Sequence, residues 1–169
     1  PLTLLRDMAF CVAENFDDAS WQNLESSYAL PETHLVAWGN GRLRRSDAER
    51  WSDASAALRV GTLASDEDAS ALWASESVDA FYPALSEWLQ PETTVVDVRA
   101  SLDKPLHLLF STAPHVLPVV SCPRIWLRVA AGASATVIET YVAGPHGVQL
   151  MVPRLSIDLG EGAQLTRLI

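Results

Sequence analysis

Apolar residues change their spacing along this chain. In LTLLRDMAFCVA at 2–13, Leu5, Met8, Ala9 and Val12 recur at helical intervals, which predicts a helix. NFDDASWQNLES predicts a second, short helix with Asp17 or Asp18 as its N-cap. HLVAWGNGRLRR at 34–45 sets two short runs around Gly39-Asn40-Gly41. Asn and Gly tolerate the positive φ of tight hairpin turns, so this segment predicts a β-hairpin. ALRVGTLAS at 57–65 adds a short strand. Residues 66–90 return to helical spacing, with Leu72, Trp73, Phe81, Leu85, Trp88 and Leu89 on an apolar face. Acidic Asp66-Glu67-Asp68 suits a helix start, Pro83 interrupts the segment and Pro91 closes it.

From residue 92 the spacing is that of strands. TTVVDVRA alternates, and KPLHLLFST, RIWLRVAAGASATVIETYV, VQLMVPRLSIDL and AQLTRLI follow, separated by Gly and Pro. No helical pattern intervenes, so the last seventy-odd residues are expected to be all β. The fold class is therefore α+β. Residues 1–91 form an N-terminal helical or mixed region, and 92–169 form a β core.

Within that core the chain repeats itself. RIWLRVAAGASATVIE at 124–139 aligns without a gap on RLSIDLGEGAQLTRLI at 154–169. Arg124, Gly132, Ala133 and Thr136 meet Arg154, Gly162, Ala163 and Thr166. Ile125, Leu127, Val129 and Ile138 meet Leu155, Ile157, Leu159 and Leu168. Self-similarity at a period of 20–50 residues is the mark of a stacked solenoid, whose coils bury their apolar faces against one another. Two hairpins in an ordinary sandwich would also alternate around Gly. The paired Arg, Gly-Ala and Thr favour the beginning of a β-solenoid. The second copy runs into Ile169 without a polar cap, so the expectation is a truncated core or an edge covered by something else. A homodimer through the exposed β-edge is one such cover.

Composition narrows the partners. The chain has 169 residues, is 49% hydrophobic and 20% charged, and carries a formal charge of -9. It is somewhat apolar for a free monomer, which fits either a well-packed domain or an apolar surface that belongs to a neighbour, more of the same chain or another subunit. Lys104 is the one lysine, and Asp47 and Glu49 dilute the basic run at 41–50. Nucleic acid binding, driven by neutralised phosphates, is not expected. Nor is a membrane span, because no eighteen-residue apolar run occurs. Cys11 and Cys122 do not make a disulfide framework, and a reducing, cytoplasmic location fits them.

The residues that suggest chemistry each have a plainer reading. His107, His115 and Cys122 lie within sixteen residues, but a cluster or zinc site wants four ligands and no CxxC exists. Cys122 reads as a small buried hydrophobe. His146, in AGPHGVQ, belongs to a turn. Glu139 could line a channel inside a solenoid; alternating with Ile138, it is expected to face solvent. Asp97, Asp103 and Asp158 read as strand-edge charges. Neither a G-x-S-x-G elbow nor a phosphate-binding G-x-x-x-x-G-K-[ST] occurs. The six tryptophans read as core or interface anchors. No residue is nominated as catalytic, cofactor-binding or metal-ligating.

KPLHLLF at 104–110, PRIWLRVAAGASATVIETYV at 123–142 and RLSIDLGEGAQLTRLI resemble the start of the core domain in the SufB/SufD family of iron–sulfur cluster assembly proteins. HLVAWGNGRLRR resembles the hairpin of its SufD branch. The resemblance covers about residues 34–169 and is strongest from 104. It implies a right-handed parallel β-helix and a non-catalytic scaffold subunit. The implied partners are a SufB-like homologue and a SufC-type ATPase, and the assembled complex would handle the iron–sulfur cluster. The family's partner-binding helices and functional Cys and His lie later in its chain, so no functional residue carries over. The competing expectation is a ligand- or carbohydrate-binding β-solenoid; Trp126 aligning with Ser156 builds no aromatic ladder for it. A hydrolase has no motif in its favour.

Overall fold

The computed structural model describes residues 17–53, 56–63, 89, 92–112, 118–143 and 148–169. The helices expected at 2–13 and 66–90 lie outside these residues, apart from Leu89. The elements in chain order begin with α1 (Asp18–Tyr28), β1 (His34–Gly39), β2 (Arg42–Leu43), α2 (Arg45–Arg50) and β3 (Leu58–Leu63). There follow β4 (Thr93–Val98), β5 (Leu106–Thr112), β6 (Val119–Ser121), β7 (Arg124–Val129) and β8 (Ser134–Ala143). β9 (Gln149–Met151), β10 (Arg154–Leu159) and β11 (Gln164–Leu168) complete the set. Among the described residues the fold is mostly β with few helices, and the described part from residue 92 is built of strands alone.

Local chemistry accounts for the first elements. Asp17 caps α1 by accepting the Ser20 N–H at 2.7 Å. β1 and β2 form the expected hairpin, with Trp38 opposite Leu43 and Gly39 opposite Arg42. Asn40 and Gly41 both have positive φ, 51° and 84°, the pair of angles a two-residue I′ turn demands. Asp47 of α2 is buried. It accepts the Ala37 N–H and the Arg44 guanidinium, at 2.9 and 2.7 Å, tying α2 to β1.

The strands make three sheets, in the orders β11-β8-β5-β1-β2, β10-β7-β4-β3 and β6-β9. Pairing is antiparallel at β1–β2 and β3–β4 and parallel elsewhere. From β4 onward the chain visits the three sheets in a fixed order, and each return lays a strand beside its predecessor. The repeat seen in the sequence is the pairing register. Arg154 lies beside Arg124 and Leu159 beside Val129. Thr166 lies beside Thr136 and Leu168 beside Ile138. The third sheet keeps the same thirty-residue offset, Gln149 beside Val119. The turns match as well. Ala133 N–H donates to the Ala130 carbonyl and Ala163 N–H to the Gly160 carbonyl, each at 3.0 Å. Gly132 and Gly162 hold the positive φ of 70° at the third turn position, the place where a type II turn needs it.

β5 shows what this arrangement does to a strand. It sits in the middle of the five-stranded sheet and is buried at all seven positions. A strand covered on both faces reads as a continuous apolar run rather than an alternation, which is how LHLLF reads. On one face Leu106, Leu108 and Phe110 join a core with Val36, Val60, Val96, Ile125, Leu127 and Val137. On the other, Leu109 packs with Leu24 of α1, Leu35 and Ala37. Residues on both sides of position 92 thus share one core. Inside it, Phe110 stacks on Trp38 at 4.8 Å and on Tyr141 at 4.9 Å, in register across β1, β5 and β8. Each such pair contributes about 0.5–1.5 kcal/mol beyond its buried area.

Candidate functional site: the open edge of the three sheets

β9, β10 and β11 are the last strands of their sheets, and all three lie on the same side of the stack. Each has one edge with no strand beside it among the described residues. Their apolar positions are half covered or bare. Leu155, Met151 and Leu165 pack partly onto the core, while Ile157 is 39% exposed, Leu159 48% and Leu168 51%. An edge of this kind combines unpaired backbone groups with an apolar surface, and can pair with an added strand.

A charged cluster lies at the inner side of this edge. Val137 faces the core, and strand alternation places Ala135, Glu139 and Tyr141 on the same face. Glu139 is therefore 4% exposed and buried, where the sequence suggested a solvent-facing carboxylate. Alternation with Ile138 fixes only that the two residues point opposite ways; Ile138 takes the outer face. Arg167, in register with Val137, turns inward too and binds both carboxylate oxygens of Glu139. Tyr141 donates its hydroxyl to the same carboxylate. Burial and that hydrogen bond hold the Tyr141 phenol well above its ordinary pKa. The signal for this cluster was in the repeat, since the gapless alignment already sets Arg167 on Val137.

The other singled-out residues fall apart from one another. Cys122 is buried, and burial pushes its thiol up to about 11, so it is protonated at neutral pH. His107 is fully buried on the α1 side of β5. Its Nδ1 accepts the Leu30 N–H at 3.4 Å and its Nε2 lies 2.9 Å from the Thr140 hydroxyl. Desolvation lowers its pKa. His115 and His146 lie outside the described residues. Asp97 is not on a sheet edge, because β4 runs between β3 and β7; its carboxylate takes the Arg99 guanidinium at 2.9 Å. Asp103 is an exposed loop partner of His34 at 2.9 Å, and Asp158 is exposed on β10, which does form an edge. Among the described residues no three His, Cys, Asp or Glu side chains come together as a metal site. None of the described helices is long and apolar enough to cross a membrane. No family model matches the chain, and no curated protein matches it.

Proposed function

We propose that this chain carries the first coils of a right-handed parallel β-helix in a non-catalytic scaffold subunit for iron–sulfur cluster assembly. The subunit is of the SufB/SufD type, nearer SufD, and works in the cytoplasm. The observation that carries this reading is the thirty-residue repeat acting as parallel register in three sheets at once. KPLHLLF supplies the fully covered strand on which the layers are laid. Such a stack offers a rigid body and an open edge rather than a reaction centre. Its partners are a SufB-like homologue and a SufC-type ATPase, and the cluster is cargo of the assembled complex rather than a cofactor held by this segment.

Co-expression of the protein with its genomic neighbours, followed by affinity capture and mass spectrometry, tests this. The expected result is a stable complex holding an ABC-type ATPase and a SufB-like homologue. A protein recovered without them contradicts the scaffold reading and favours a ligand- or carbohydrate-binding β-solenoid.

A further inference from the structure

The residues of β10 match their own sequence read backwards. Leu155, Ile157 and Leu159 continue the inward apolar row of β7, and the last two are exposed. Strand alternation places Arg154, Ser156 and Asp158 on the outward face. The backbone bonds show which groups the strand offers. Arg154 N–H donates to the Pro123 carbonyl and Gly160 N–H to the Val129 carbonyl, so the even-numbered positions address β7. In a parallel ladder alternate residues address opposite neighbours. Leu155 and Ile157 therefore turn their N–H and C=O groups away from β7, to the side on which no strand lies among the described residues.

Charge says what fits that side. Across the sheet, the register row through Asp158 alternates in sign: Arg59, Asp97, Arg128, Asp158. Asp158 is exposed and ends the row on an acid, so the complementary neighbour is a cation. β10 supplies that cation itself. A two-fold contact between identical strands is antiparallel, and where residue i meets j, j meets i. Centred on Ser156, it sets Arg154 of each copy opposite Asp158 of the other and Leu155 opposite Ile157. Leu155 and Ile157 then exchange the ladder bonds, and the charged pairs fall at the non-hydrogen-bonded positions, where side chains are closer. The match holds in one register. A slip of two residues either way leaves both charges opposite uncharged residues, and a slip of four sets Arg154 on Arg154 or Asp158 on Asp158. We infer that two copies of this chain join β10 to β10, antiparallel about a two-fold axis at Ser156, with Arg154 of each copy paired to Asp158 of the other. The contact covers Ile157 and carries the four-stranded sheet across both copies. The inference is independent of the scaffold reading.

Sedimentation velocity of the full chain over a concentration series tests it, with circular dichroism to check that each variant folds. The parent chain is expected to sediment as a reversible monomer–dimer equilibrium. Asp158→Arg places arginine opposite arginine and Arg154→Asp places aspartate opposite aspartate; each is expected to weaken the dimer at least tenfold. Mixing the two single variants makes both cross-copy pairs complementary again, and a heterodimer of near-parent affinity is expected. The doubly swapped chain, R154D with D158R, is expected to self-associate as the parent does. Ser156→Cys sets two thiols across the axis at a separation a disulfide spans, and mild oxidation is expected to link the copies through that position. The Ser156→Cys and Asp158→Arg arms stand without Arg154→Asp, should that variant not fold. A parent chain that stays monomeric, which leaves the edge to a strand of another protein, overturns the inference. So does a dimer that Asp158→Arg leaves unchanged, or an absence of cross-linking at Ser156→Cys.

Discussion

The two copies of the repeat have the same pattern and the same backbone turn, and they live in different surroundings. In the first, Ile125 and Leu127 are fully buried and Val129 is 2% exposed. In the second, the equivalent Leu155 is half-buried, Ile157 is 39% exposed and Leu159 48%. The difference is a count of neighbours. β7 lies between β4 and β10, whereas among the described residues β10 has β7 alone. Burial in a stack therefore belongs to a residue's layer, and a motif reports its layer's inward face without reporting whether that face is covered.

That comparison sets an order of effects. Leu127→Ala should destabilise by about 2–5 kcal/mol, the range for a large-to-small change in a closed core. Ile157→Ala, its copy, should cost about 1 kcal/mol or less because solvent already reaches the site. Urea unfolding of both variants checks the contrast, and equal losses would break it.

The turns sharpen it. A Cβ at Gly160 would lie 2.4 Å from the Ala131 backbone nitrogen, because the second turn rests on the first. Gly160→Ala should cost about 1–3 kcal/mol as an overpacked contact between layers. Gly162→Ala meets open space and bears only the cost of a left-handed backbone, about 1 kcal/mol. If Gly162→Ala proves the worse of the two in thermal unfolding, the turns do not rest on each other.

The Glu139 cluster joins the two copies. Arg167→Ala leaves a buried carboxylate without its cation. The loss should be about 1–2 kcal/mol, below that of a fully buried pair because Arg167 is 39% exposed. Glu139→Gln combined with Arg167→Met should recover most of it, read by a double-mutant cycle.

The smallest effect is expected from His107, under α1. Burial depresses its folded pKa below 6.5, so the folded state resists a proton that the unfolded chain accepts. Its contribution to stability is whole above about pH 6.5 and declines as the pH falls toward the folded pKa. Urea midpoints at pH 7.5 and 5.5 should show a smaller drop for His107→Gln than for the parent.

Much of this was legible in the residues. The hairpin followed from Asn40-Gly41, the cap of α1 from the Asp17-Asp18 pair, of which Asp17 is the cap, and the register of β10 and β11 from an alignment of the chain with itself. These depend on local chemistry or on identity between copies, and both are written in sequence. Facing was harder. Alternation places Glu139 and Ile138 on opposite sides without saying which is inside, and the neighbours that decide it are Leu108 and Val137. Asp97 looked like an edge charge because pairing partners are remote in sequence; β3 covers that side of β4 from thirty-odd residues away.

Parallel layering is the claim on which the rest stands, and nuclear Overhauser contacts between backbone protons test it most directly. The account expects contacts linking Thr166 to Thr136 and Ser156 to Trp126, in the parallel pattern and thirty residues apart. Antiparallel contacts joining β10 to β11, as in a closed sandwich of hairpins, would contradict it.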